Sequence, residues 1–185
     1  MDLSAITIGD ATLSKRDAKT APLLADGKPL VYMPAAYMPV VFQPSDYGAP
    51  SDANRVNLVV RSTDSVTNDL EELDQYLVTT LVQESERLFG KQLSDASVRE
   101  RYVPLLHQSD KYPATVKSKL TLNGQGATKL WDEEKRARGQ PDCWTACQVR
   151  PRWHLKCLWF MGTSVGVTVE ATDLLLTEAS RECPL

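Results

Sequence analysis

The chain has 185 residues and a mass of 20.6 kDa, with 42% hydrophobic residues, 24% charged residues and a formal net charge of −3. This size and apolar fraction support a sizeable core and exclude disorder throughout. The longest apolar run, Leu30 to Phe42, holds 13 residues and two prolines, well short of the ~20 residues that a membrane-spanning helix needs.

In chain order, residues 1–30 read as an N-terminal extension with one short alternating stretch, Ala5-Ile6-Thr7-Ile8, that fits a peripheral strand. Prolines at 34, 39, 44 and 50, set among Tyr32, Tyr37, Val40, Val41 and Phe42, suit extended segments at a sheet edge. Residues 55–60 read as a strand. The clearest element runs from Asn68 to Phe89, where Leu70, Leu73, Leu77, Leu81 and Leu88 follow helical spacing. Asn68 or Asp69 is the expected N-cap, Glu71, Glu72 and Asp74 the expected acidic first turns, and Gly90 the terminator. A second, short helix is expected after Ser94, to include Val98 and Tyr102 and to end at Pro104.

Beyond residue 104 the pattern changes to strands. Tyr112-Pro113 leads into residues 114–122, where Lys117 and Lys119 share one face and Val116, Ser118 and Leu120 the other. Asn123-Gly124-Gln125-Gly126 reads as a turn and residues 133–141 as a charged loop. Strands are expected at 143–149, 153–161, 165–169 and 174–176, with Arg150-Pro151-Arg152 and Gly162-Thr163-Ser164 as connections. The fold class is therefore mainly β with helices (α+β), and an oligonucleotide-binding-type antiparallel barrel with one long and one short helix is the expected architecture. Residues 31–176 form the expected single domain, and residues 177–185 a C-terminal tail.

The net charge hides a polarity along the chain. Residues 1–100 carry 9 basic and 15 acidic groups, residues 101–160 carry 11 and 5, and residues 161–185 carry 1 and 4. A basic middle of this kind can form a polyanion site or a solvated surface. Within it, Lys117, Lys119, Lys129, Arg150, Arg152 and Lys156 lie in or beside strands that also contain Tyr112, Trp131, Trp144 and Trp153. Cations that follow a phosphate backbone, with aromatic rings on which bases stack, are what binding of a single strand requires. Trp153 is the weaker stacking candidate, and Trp159 is expected in the core.

Cys143, Cys147, His154 and Cys157 form the pattern C-x3-C-x6-H-x2-C, which has the right chemistry for zinc. On a strand, however, His154 and Cys157 point to opposite faces, so buried apolar cysteines are the competing reading and no cofactor is expected. Catalysis is not expected either: there are two histidines, and Gly124-Gln125-Gly126 is too short for a dinucleotide fingerprint. Residues 162–166 likewise lack the lysine of a phosphate loop. The start Met1-Asp2-Leu3-Ser4 lacks the basic and then apolar pattern of a secretion signal. The four cysteines lie at 143, 147, 157 and 183, and an intracellular, reduced protein is expected.

Residues 31–42, the helix ending in Leu88-Phe89-Gly90-Lys91, the segment from Tyr112-Pro113 to Lys119-Leu120, and residues 155–160 followed by Gly166 resemble virus-type single-stranded-DNA-binding proteins. These are found in large eukaryotic DNA viruses and are related in fold to phage binding proteins. The resemblance implies non-catalytic, sequence-independent coating of single-stranded DNA in replication, recombination or repair, with Lys117 and Lys119 on the basic strand and Trp159-Phe160 on an aromatic core strand. It implies a nucleus or viral replication site as the location and replication proteins as partners, with RNA an alternative ligand and no membrane. Residues 31–50 and the long helix offer surfaces for self-association. The chain departs from the phage members in its last nine residues, which hold two acids and one arginine where those members carry a strongly acidic tail. A protein-interaction module of a viral or intracellular assembly and a zinc-stabilised adaptor are the rival readings.

Overall fold

A computed structural model describes residues 2–13, 18–45 and 54–178. The first part of the chain forms strands β1 (Ile6–Ile8), β2 (Thr12–Leu13), β3 (Lys19–Ala25), β4 (Lys28–Pro29), β5 (Val31–Tyr32), β6 (Met38–Pro39) and β7 (Arg55–Arg61). Helices α1 (Asp64–Gln83), α2 (Ser85–Phe89) and α3 (Asp95–Arg101) follow. The remainder comprises β8 (Tyr102–Val103), β9 (Leu106–His107), β10 (Thr115–Thr121), β11 (Lys129–Trp131), β12 (Cys147–Met161) and β13 (Ser164–Glu178). The architecture is mostly strand, 44%, with three α-helices, and the sheet does not close. The barrel expected from the strand pattern is in this respect corrected. The expected tail falls largely on residues 179–185, and Pro50 on 46–53; both lie outside the described residues.

Two compact units divide the chain, one drawn from Met1–Leu30, Asp64–His107 and Leu155–Val169, the other from Val31–Thr63, Gln108–His154 and Glu170–Leu185. In the first unit, β1 pairs antiparallel with β3, and β3 with residues 157–160 of β12. Residues 165–166 of β13 pair parallel with β8. Ile6, Ile8, Ala21, Leu23 and Leu30, all from the first 30 residues, are buried in this unit together with the apolar stripe of α1.

The helix starts at Asp64, four residues before the expected cap, because Val66 extends the buried stripe of Leu70, Leu73, Leu77 and Leu81 by one more turn. It breaks at Glu84. Ser85 Oγ donates to the Val82 carbonyl at 2.8 Å and accepts from the Leu93 amide at 3.0 Å, so the chain that turns back at left-handed Gly90 (φ 72°) is tied to the break. Arg87 then fastens α2 to the end of β1, donating to the carbonyls of Ile8 and Gly9 at 2.9 and 3.1 Å. The second helix begins as expected, with Ser94 accepting from the Ser97 amide, but it ends at Arg101, so Tyr102 belongs to β8.

Asp74 lies in the third turn of α1 and not near the helix N-terminus, which removes the helix-dipole explanation for it. Its carboxylate accepts from Tyr102 Oη at 2.6 Å and from the Leu105 amide at 3.0 Å, holding the segment after α3 against α1. Burial raises its pKa from 3.8 to about 6 despite these two donors. Trp159, expected in the core, is half-buried and lies against Gly166, where a Cβ would come within 2.5 Å of the indole.

The second unit is built on β7 and β10, antiparallel from Arg55↔Thr121 to Arg61↔Thr115, with Val56, Leu58, Val60, Val116, Ser118 and Leu120 on the buried face. β10 meets β13 in parallel at Lys119↔Glu170, and β11 runs beside the same strand from Lys129↔Asp173 to Trp131↔Leu175. Residues 147–154 of β12 pair with β6 at Gln148↔Pro39 and Val149↔Met38, and with β5 at Trp153↔Tyr32 and His154↔Val31. Arg150-Pro151-Arg152 is thus inside a 15-residue strand and not a connection, and the expected strands 165–169 and 174–176 are likewise one. Proline is tolerated at 151 because it falls between the two pairing partners, where its missing N–H leaves no gap in either ladder. The strand expected from residue 143 starts at Cys147, after a 3₁₀ turn over Trp144–Ala146. From β6 the chain crosses to β7, with Val40 and Ser45 making isolated bridges to Val60 and Asn57.

Candidate nucleic-acid interface

The alternation expected for β10 is present: Val116, Ser118 and Leu120 are buried, Lys117 is exposed and Lys119 is half-exposed. Parallel and antiparallel partners in register project to the same side of a sheet. Glu170 of β13 therefore shares the outward face of the second unit with Lys117 and Lys119 of β10. The burial phase of β13 then shifts by one residue, from Val169 and Ala171 to Leu174 and Leu176, so that Asp173 and Leu175, with Lys129 and Trp131 of β11 beside them, lie on that same outward side. Along β12, Cys147, Val149, Pro151 and Trp153 are buried, while Gln148, Arg150, Arg152 and His154 form the outward side.

A cleft of about 490 Å³ opens on this face, lined by Met33, Trp131, Lys135, Arg150, Pro151, Arg152, Asp173 and Leu175. That volume lies in the range of small-molecule pockets, roughly 300–1,000 Å³. Met33, Pro151 and Leu175 supply apolar wall, and Met33 is 61% exposed at the rim. Trp131 is half-buried, and its indole Nε1–H donates to Asp173 Oδ1 at 3.1 Å, which fixes the plane of the ring. Arg152 Nη1 donates to Thr172 Oγ1 at 3.1 Å and lies 3.8 Å from Asp173 Oδ2. Arg150 sits over the Tyr37 ring, its guanidinium carbon 5.9 Å from the centroid.

Lys135 reaches the cleft because of the turn after β11. The Asp132 carboxylate accepts from the Arg136 amide at 2.8 Å and from Arg136 Nε at 3.0 Å, closing the turn and leaving Lys135 in the left-handed region (φ 61°). The Arg136 amide, first among its donors, holds the Asp132 carboxyl below the usual range. Arg136 is further paired with Glu134, and Arg138 with Glu178. The charged loop therefore offers one free cation, not three. Among the described residues, Lys117, Lys119, Lys129, Lys135 and Arg150 form no ion pair, whereas Arg55, Arg136, Arg138 and Arg152 do.

Of the site residues expected from sequence, Trp131, Arg150 and Arg152 come together in the cleft, and Lys117, Lys119 and Lys129 share its face. Tyr112 is 64% exposed ahead of β10, with Lys111 Nζ 5.5 Å from its ring centroid. Trp144, expected to stack on bases, is only 5% exposed in its 3₁₀ turn, its amide donating to Gln43 Oε1, and it has no face to offer a ligand. Trp153 is 1% exposed and packs beside Tyr32. Lys156 is exposed on the part of β12 that belongs to the first unit and is not part of this cleft. Lys135 belongs to the expected charged loop and Leu175 to the expected strand 174–176, but the sequence assigned neither to a site, and it did not single out Met33 or Asp173.

The zinc pattern is not assembled. Cys147 is buried on the inward side of β12 and His154 lies on the outward side, while Cys157 belongs to the first unit. Cys147 Sγ donates to the Cys143 carbonyl, and burial pushes its thiol pKa up, which disfavours the thiolate that a metal needs. Among the described residues no group of three or more His, Cys, Asp or Glu side chains is placed to hold a metal ion. No helix in these residues is long and apolar enough to cross a membrane.

No protein-family model and no curated protein matches this chain. Among solved structures, it is similar to the single-stranded DNA-binding protein of bacteriophage Enc34 in complex with single-stranded DNA. The identity is 6% and the TM-score 0.43, over 93% of this chain and 92% of that one. A C-terminal truncation of the same protein matches with 7% identity and a TM-score of 0.48, over 93% and 94%. The gp2.5 single-stranded DNA-binding protein of bacteriophage T7 matches with 12% identity and a TM-score of 0.49, over 85% and 91%.

Proposed function

We infer that the outward face of the second unit binds single-stranded DNA, without catalysis and largely without sequence preference. The observation that carries this reading is the combination in one face of five cations without ion-pair partners among the described residues and an indole held edge-on by Asp173 in the cleft. Unpaired Lys and Arg side chains release condensed counterions when they meet phosphate, which is the main source of affinity for a polyanion. An indole with one face available adds about 1–3 kcal/mol per stacked base, and every base has a face to offer it. Lys117, Lys119, Lys129, Lys135, Arg150 and Arg152 contact phosphates in this reading, Trp131 is the stacking platform, and Tyr112 is a second, exposed one.

An oligonucleotide-binding-type arrangement accommodates this role. The stretch from β6 to Ser45 is hydrogen-bonded to β12 at one end and to β7 at the other, which supports reading the open sheet as a loosely closed barrel. A place in replication, recombination or repair, and the kinship to virus-type proteins, go with the same reading.

Fluorescence-anisotropy titration of labelled oligo(dT), with duplex DNA and oligo(U) as competitors, tests it. Six phosphate contacts give a log–log salt slope of up to about 4, at about 0.7 per phosphate on a single strand. Preference for the single strand with a slope near this value is the expected result. Equal competition by oligo(U) would extend the ligand to RNA, and absent or salt-insensitive binding would refute the reading.

A further inference from the structure

A carboxylate in the middle of a polyanion site lowers affinity, so Asp173 needs an explanation. Its contacts provide one. Oδ1 accepts from the Trp131 indole at 3.1 Å, and Oδ2 accepts from Thr172 Oγ1 at 3.0 Å. Arg152 stands 3.8 Å from Oδ2, longer than a direct hydrogen bond, with 44% of its side chain exposed against 29% for Asp173. The two atoms of this carboxylate therefore do different work: one is committed to the indole, the other faces a guanidinium that is still open to solvent.

We propose, building on the single-stranded-DNA reading, that Asp173 is the positioning residue of the cleft and the resident counter-anion of Arg152. A backbone phosphate displaces Oδ2 from Arg152, while Oδ1 keeps Trp131 in place. The exchange is one of anion for anion on the same guanidinium, with no proton or covalent step. A phosphate neutralised by Arg152 releases the cation condensed on it as at any other contact, so Asp173, which competes for the guanidinium, lowers affinity and leaves the salt slope unaltered.

The test is the log–log salt slope for oligo(dT) binding by the wild type, Arg152→Gln, Asp173→Asn and the double variant. Asn keeps a carbonyl oxygen for the indole N–H, and thermal midpoint with tryptophan emission reports whether the fold and ring position survive. Arg152→Gln in the wild-type background is expected to weaken binding and to lower the slope by about 0.7, one phosphate contact. Asp173→Asn is expected to tighten binding about two- to fivefold, the worth of an exposed ion pair, with the slope unchanged. In the Arg152→Gln background the gain from Asp173→Asn is expected to shrink, because the guanidinium it frees is absent. An unchanged slope on Arg152→Gln, or an equal gain from Asp173→Asn in both backgrounds, would overturn the counter-anion role and leave single-stranded-DNA binding intact. Wild-type protein that does not bind oligo(dT) overturns both. If Asp173→Asn does not fold, the comparison of wild type with Arg152→Gln decides alone.

Discussion

Replacing Lys117 and Lys119 together by glutamate addresses the basic strand directly. Both lie outward on β10, next to Val59 and Asn57 of β7, and neither is ion-paired among the described residues. At about 0.7 ion released per phosphate, one contact favours binding by about fourfold at 0.15 M salt and about eightfold at 0.05 M, relative to 1 M. Losing two therefore costs about 14-fold at the higher concentration and about 65-fold at the lower, with repulsion from the new carboxylates in addition. Stability is expected to stay within about 0.5 kcal/mol, because the buried residues of β10 are Val116, Ser118 and Leu120 and are untouched. Anisotropy titrations of oligo(dT) at the two salt concentrations, paired with urea unfolding, measure all three quantities. Affinity reduced by less than threefold with an unchanged salt slope in a folded double variant would show that DNA does not run along β10.

Trp131→Ala is expected to reduce oligo(dT) affinity by about 5- to 150-fold, the cost of one lost stack, and Trp131→Phe by much less. Trp144→Phe serves as the contrast: its ring is buried, so titration should find affinity unchanged, and a loss comparable to that of Trp131→Ala would place the site elsewhere. For Asp74, the folded pKa of about 6 lies above the unfolded 3.8, so the folded state binds the proton more tightly. The stability this group contributes is full below about pH 4 and is lost as pH rises through about 6, a swing of about 3 kcal/mol. Chemical denaturation of the wild type and Asp74→Asn from pH 4 to 7 should show that dependence in the former and its loss in the latter; parallel curves would refute it. Gly166→Ala places a methyl group 2.5 Å from the Trp159 indole and is expected to cost about 1–3 kcal/mol in urea unfolding. A cost under about 0.5 kcal/mol would mean that the indole yields freely.

What the sequence made legible was what local periodicity controls. The leucine stripe of α1, Gly90 as terminator, Ser94 as cap and the two-sided β10 are written in adjacent residues, where three- and four-residue or two-residue spacing reflects burial directly. The errors have a common physical source in tertiary pairing. Pro151 read as a breaker because its ring forbids a ladder hydrogen bond, yet it lies between β5 and β6 where none is made. Val66 did not mark the helix start because β-branched residues favour strands, and burial overrode that preference. Asp74 had the chemistry of a helix N-terminus, but its role is set by Tyr102 and Leu105, about 30 positions further along. The site shows the same division: the cations were countable from sequence, but not which of them were already neutralised. Arg136 and Arg138 looked equivalent to Lys135, and only the turn closed by Asp132 separates them.

Each unit takes part of its core from the last hairpin, β12 and β13, which contributes Leu155, Leu158, Val165 and Val169 to one and Val149, Trp153, Leu174 and Leu176 to the other. During synthesis, therefore, the first unit cannot complete its core until Val169 has left the ribosome, nor the second until Leu176 has. At about 5–20 residues per second, the exposed Leu stripe of α1 and the inner faces of β7 and β10 wait several seconds for their partners. Over that interval the nascent chain exposes apolar surface, the condition in which aggregation competes with folding and chaperones act.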